Sequence, residues 1–396
     1  MRRRLIAIAV LLCCLNCASW ALGQAKQEGR DWSQFRGPGG LGRSDAKGVP
    51  LNWSSTENIA WKAELPGPGA SSPIVLGDRI YLTCYTGYFV PGQSGGSLEQ
   101  LKRHLIALRR NDGGIVWDRA IAAKLPEESE IRDHGFAANT PAADADQVYA
   151  FLGKSGVFAF NHSGEQQWQA DVGSKTSGWG TSASPVLYKD SVFINAGVES
   201  ESLIALDRRT GVEKWRAKGI REAWNTPVVI TASSGRQELV VTTQGSVLAF
   251  DPETGKSLWS CSTDIGWYMV PSVVADNGIV YCLGGRSGTA ALAVRAGGSG
   301  DVTETHTDCG RASKDQTFRL LCTLTGISTG CTSSWESPIA PKPTAAKSFM
   351  KSASIMEDRF TRRRCWPTGE YIISRARVAC SCWPPGRNSN SSRRMS

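Results

Sequence analysis

Side chains suited to metal, acid–base or nucleophilic chemistry are thinly spread in this chain. The four histidines, His104, His134, His162 and His306, show no metal-ligand spacing with one another or with Cys84, Cys261 and Cys282. No local signature of a nucleophile triad is present. Gly284-Gly285-Arg286-Ser287-Gly288 is glycine-rich, but it falls in a predicted hairpin with no helix behind it, so it lacks the context that binds phosphate. Tryptophan gives a stronger signal. Trp179, Trp224 and Trp267 recur 45 and 43 residues apart. Gathered at one place, they would make an aromatic rim for a peptide or planar ligand. The same regularity suits loops that pack alike on successive repeats, and periodicity favours that plainer role. Arg221, Glu222 and Tyr268, with Arg132, Asp133 and His134 from another loop, are the candidate partners of the rim.

The elements that would carry this series repeat with it. A Ser/Thr-Pro or Val-Pro step occurs at Pro73, Pro141, Pro185, Pro227 and Pro271, at intervals of 68, 44, 42 and 44 residues. That period fits one four-stranded blade. Each step opens a β-rich run, a turn, a second run, and then an alanine, a polar turn with glycine, and a tryptophan. The clearest copies run from Ala205 through Asp207, Thr210 and Gly211 to Trp215, and from Ala249 through Asp251, Thr254 and Gly255 to Trp259. Degenerate copies end at Trp117 and Trp168. Asp and Thr favour the turn, Gly supplies positive φ, and alternating apolar residues on either side predict a hairpin with one packed face. The tryptophans would fill the space between neighbouring sheets. Asn58 to Leu65 carries Trp61 without the rest of a repeat, and it reads as the strand that closes a ring.

This Ala-x-Asp-x-x-Thr-Gly-x-x-x-Trp pattern resembles the pyrroloquinoline-quinone (PQQ) type of propeller repeat, and Asp31-Trp32-Ser33-Gln34-Phe35-Arg36-Gly37-Pro38 is similar to the lead-in of exported bacterial members. The resemblance covers residues 31 to 306 and implies an all-β fold, a β-propeller of four-stranded blades. Seven to eight blades are expected in an intact protein and about five are visible here. Two functions follow from the family. One is a non-catalytic scaffold of the cell envelope that binds a protein or peptide partner, as in the outer-membrane protein assembly machinery. The other is a PQQ-dependent quinoprotein dehydrogenase that oxidises alcohols, with PQQ and calcium at the channel centre and an aspartate as base. Many such enzymes carry a disulfide between adjacent cysteines, and the exported part of this chain has no adjacent pair. Asp133, Asp264 and Asp276 could be imagined as the base, but no motif selects one. The expectation is therefore a scaffold, with no cofactor assigned.

Composition sets the boundaries. Arg2, Arg3 and Arg4 precede an apolar run from Leu5 to Leu15, and Ala21-Leu22-Gly23 offers small residues for cleavage, so residues 1–23 read as a signal peptide and the mature chain as periplasmic or envelope-bound, with no membrane span after cleavage. Residues 24–50 are the lead-in and 51–306 the propeller, an incomplete ring. The net charge of +9 suggests nucleic acid until it is located: residues 308–396 hold 15 Lys or Arg against 6 Asp or Glu, the whole excess. No basic face for DNA or RNA is left. The same 89 residues contain one valine, Val378, and six cysteines. No β-rich domain is so poor in valine. The expectation is a disordered, non-homologous tail over 307–396, translated out of frame. One nucleotide back, the codons of Asp308-Cys309-Gly310 permit Arg-Leu-Trp, the tryptophan that the fifth repeat lacks. Five blades without the rest of the ring would leave strand edges open and the chain poorly soluble.

Overall fold

The computed structural model describes residues 31–131, 134–284, 290–312, 370–374 and 377–379. The expected signal segment 1–23, Arg132, Asp133, residues 285–289 with the rest of the glycine-rich run, and most of the expected tail 307–396 lie outside the described residues.

Strands follow the repeat. A first strand, β1 (Ile59–Glu64), precedes sheets built as consecutive antiparallel meanders. Blade 1 comprises β2 (Ile74–Leu76), β3 (Arg79–Thr86), β4 (Lys102–Arg109) and β5 (Ile115–Ala122). Blade 2 comprises β6 (Ala142–Ala143), β7 (Gln147–Phe151), β8 (Val157–Asn161) and β9 (Gln166–Ala170). Blade 3 comprises β10 (Val186–Tyr188), β11 (Ser191–Ala196), β12 (Ser202–Asp207) and β13 (Glu213–Lys218). Blade 4 comprises β14 (Val228–Thr231), β15 (Gln237–Thr243), β16 (Ser246–Phe250) and β17 (Ser257–Ser262). Blade 5 comprises β18 (Val274–Asp276), β19 (Ile279–Gly284) and β20 (Ala290–Arg295), then β22 (Thr307–Ala312) beyond the short β21 (Gly300–Asp301), which pairs in parallel with β17. β1 forms a further sheet with β23 (Glu370–Ser374) and β24 (Arg377–Ala379). The architecture is an all-β propeller.

The fifth sheet continues past His306 through Thr307–Ala312, within the segment that composition sets apart, because strand pairing is made by backbone and does not require valine. In the four preceding sheets an alanine of the third strand pairs with tryptophan: Ala107 with Trp117, Ala159 with Trp168, Ala205 with Trp215 and Ala249 with Trp259. In the fifth, Ala293 pairs with Cys309.

The turns explain the motif. The Asp207 carboxylate accepts hydrogen bonds from the Arg209 and Thr210 amides at 3.1 and 2.9 Å and from the Thr210 hydroxyl at 2.8 Å, closing the turn on itself. Gly211 follows at φ 72. It is needed twice over, because a Cβ there would also stand 2.5 Å from the Trp168 ring of the preceding blade. The Trp168 indole donates to the Arg208 carbonyl of the same turn at 2.9 Å. Trp61, Trp117 and Trp215 repeat the arrangement, donating to the carbonyls of Arg110, His162 and Pro252 and lying against Gly113, Gly164 and Gly255. Each tryptophan therefore locks its own sheet to the turn of the next. Trp259 departs from the pattern: it donates to the buried Glu238 carboxylate at 2.6 Å, which also holds Arg236 and the Gly297 amide.

The core lies between the blades. One apolar cluster joins Tyr81, Leu105 and Trp117 of blade 1 to Val148, Phe158 and Phe160 of blade 2. Equivalent clusters join blades 2 and 3, 3 and 4, and 4 and 5.

Candidate functional site

Within a meander, alternate connections lie at opposite ends of the sheet. The loops that enter each blade's first strand therefore share one end with the turns between its second and third strands. Trp179 lies in the loop before β10, Trp224 in the loop before β14, and Trp267 and Tyr268 in the loop before β18. The structure brings these four together. The Tyr268 ring stands 5.4 Å from Trp179, edge-on at 75°, 6.2 Å from Trp224 and 5.3 Å from Trp267. Aromatic pairs favour such tilted and edge-to-face contacts. Trp224 is buried, with its indole donating to the Gly180 carbonyl at 2.9 Å, while Trp267 remains 43% exposed.

Backbone bonds hold the cluster. The Trp224 amide donates to the Met269 carbonyl at 3.0 Å and the Met269 amide to the Glu222 carbonyl at 3.1 Å. Glu222 and Tyr268, one in each loop, both take positive φ, at 50 and 66 degrees. Non-glycine residues in this region cost about 1–3 kcal/mol each and persist where their surroundings over-determine them. His134 Nε2 meets the Trp179 carbonyl at 2.9 Å. Arg221 sits at the base of the same loop region, with its guanidinium paired with Glu201 at 3.2 Å, and Glu201 also holds Lys175. Arg132 and Asp133 lie outside the described residues.

Beside the rim is a polar pocket that the sequence does not announce. Arg103 and Glu127 form an ion pair at 2.6 Å with both side chains 5% exposed, and Arg103 Nε donates to the Phe136 carbonyl at 2.9 Å. The Lys154 ammonium donates to the Pro126 carbonyl. Glu199, in the turn between β11 and β12, is 2% exposed, and its Oε2 has no hydrogen-bond partner among the described residues. Burial pushes its carboxyl up to about 7, opposed by its own amide, the Thr181 hydroxyl and Arg103. The pocket holds a cavity of ≈ 20 Å³, enough for one water. These groups come from separate turns and strand ends with no shared spacing. Read singly, Glu199 passes for a solvated turn residue.

Among the described residues, no group of three or more His, Cys, Asp or Glu side chains converges as a cation site. Asp276 instead binds Arg43 at 3.2 Å, and Asp133 is not described. Cys84, Cys261 and Cys282 are buried and free, and burial pushes the Cys84 thiol up to about 12, away from nucleophilic use.

Fold and repeat geometry together define a PQQ-type β-propeller. The chain belongs to the family described as outer membrane protein assembly factor BamB, which matches residues 89–226 and 199–303. Among solved structures it is similar to BamB from Moraxella catarrhalis, at 17% identity and a TM-score of 0.42, over 61% of this chain and 65% of that one. It is also similar to the quinohemoprotein alcohol dehydrogenase from Comamonas testosteroni, at 15% identity and a TM-score of 0.50, over 68% of this chain and 48% of that one. The chain thus spans under two thirds of the length of either. No curated protein matches it. Among the described residues, no helix is long and apolar enough to cross a membrane.

Proposed function

We propose that this protein is an exported, non-catalytic scaffold of the cell envelope that presents the Trp179, Trp224, Trp267 and Tyr268 cluster to an extended segment of a protein partner. The observation that carries this reading is the packing of three repeat-related tryptophans around Tyr268 at the loop end, with Trp267 left 43% exposed. An aromatic anchor set in a rigid frame supplies contact area at little cost in side-chain entropy. The basic and apolar pattern of residues 1–23 supports export. Family membership supports an envelope role, because its description names outer membrane protein assembly.

A photo-crosslinking residue in place of Trp267, in cells of the native host, tests the proposal. One discrete envelope protein should be captured there and not by the same probe at Val212, exposed in a turn at the opposite end of blade 3. Equal capture at both positions, or none at Trp267, would overturn it. Dye-linked alcohol oxidation after addition of PQQ and calcium would reassign the chain to the dehydrogenases.

A further inference from the structure

At the other end of the channel the lead-in lies across the inner strands. Trp32 exchanges backbone hydrogen bonds with Val75 of blade 1 at 2.7 and 3.0 Å, and the Ser33 carbonyl accepts from the Ala143 amide of blade 2 at 2.8 Å. Arg36 Nη1 donates to the Ser272 carbonyl just before blade 5 at 3.2 Å, and Arg43 pairs with Asp276. Beneath this strap is a cavity of ≈ 280 Å³. Its walls include Val186, Tyr188, Val228 and Val273, with the amides of Gln34 and Gln237 at its edge.

We propose that this cavity is a binding site for a small organic carboxylate, anchored by the Arg36 guanidinium. Arg36 lines the cavity, and Ser272 is the hydrogen-bond acceptor found for it among the described residues. A guanidinium carries five N–H donors in a planar fork that matches a carboxylate. Burial pushes its pKa below the ordinary arginine value, and the guanidinium lies over the Phe35 ring, 5.5 Å from its centroid. A partly desolvated cation held by one carbonyl and one ring face keeps donors for an anion, which brings its own charge to offset the cost of burial. The apolar walls favour an anion with an organic body over a strongly hydrated inorganic one.

The frame is set before any ligand arrives. Arg36 itself has φ 60, an uncommon value for a residue with a Cβ, and Gly37 follows at φ 69 with the Trp32 ring packed where a Cβ would sit. The Gly42 amide closes back on the Arg36 carbonyl at 2.7 Å. This geometry holds the guanidinium at the cavity, so little ordering is left to be done on binding.

Titration of the full chain with benzoate, and with benzamide as a neutral molecule of similar shape, decides the matter by calorimetry or ligand-observed NMR. Benzoate should bind at least ten-fold more tightly than benzamide. Arg36→Gln should abolish that preference and Arg36→Lys should keep part of it, since an ammonium retains charge without the fork. Equal binding of the two probes by the unaltered chain, no benzoate binding, or benzoate binding unchanged in Arg36→Gln would each overturn the proposal. The comparison of probes on the unaltered chain stands even if a variant fails to fold. Its outcome is independent of whether a partner docks at Trp267.

Discussion

A buried carboxyl makes an unusual contribution to the pH dependence of this protein. Glu199 is held above its ordinary 4.5, at about 7, mainly by burial. Between those two values the native state keeps a proton that the unfolded chain has released. The contribution of Glu199 to stability is therefore fully present below pH 4.5 and is lost as pH rises to about 7, by up to about 3 kcal/mol. Paired carboxylates such as Asp171 with Lys124 and Asp190 with Lys214, whose pKa values are lowered, slope the other way. The difference between the unaltered protein and Glu199→Gln isolates the one group. Denaturant melts at pH 5 and pH 8 should show the variant gaining on the unaltered protein as pH rises. A constant difference across that range would mean that Glu199 is ionised throughout. Arg103, Glu127, Lys154 and Lys175 line the same pocket and are common to both proteins.

Turns between the third and fourth strands join one blade to the next, and glycine there answers two demands. Gly211 has φ 72 and lies against the Trp168 ring, whereas Gly245, in the turn between the second and third strands of blade 4, has φ 73 with nothing within 4 Å of a would-be Cβ. Gly245→Ala should cost about 1 kcal/mol, the left-handed backbone penalty alone. Gly211→Ala adds displacement of the ring and should cost at least about 2 kcal/mol. Chemical denaturation measures both, and equal costs would show that the ring contributes nothing. This part of the fold was legible in the sequence because the Asp-x-x-Thr-Gly turn and its tryptophan are local and recur in register. The rim was half legible. The intervals between Trp179, Trp224 and Trp267 put them at one end, but Tyr268 as the centre depends on a positive φ at that residue, which no spacing reveals. The pocket around Glu199 and the seat of Arg36 were not legible. Both assemble from positions far apart in the chain, where burial, and not pattern, gives a charged residue its meaning.

Because the apolar clusters straddle neighbouring blades, stability should be shared between neighbours and weaken with distance along the chain. Hydrogen bonds at the inner end carry the same logic. The Ser72 amide donates to the Thr140 hydroxyl, Thr140 to Ser184, Ser184 to Thr226 and Thr226 to Ser272, at 2.9 to 3.1 Å, so each blade satisfies a donor of the one before. Leu239 of β15 is fully buried in the cluster that also holds Phe193 and Leu203 of blade 3. Leu239→Ala should cost about 2–5 kcal/mol through lost burial and the cavity left behind. Hydrogen exchange of backbone amides then reads how far the damage travels. Protection should fall most in β11, β12, β15 and β16, which frame the cavity, and least in β3 and β4 of blade 1, two interfaces away. A uniform loss in all of these strands would instead mean that the blades melt as one cooperative unit, and that the contacts between neighbours do not set local stability.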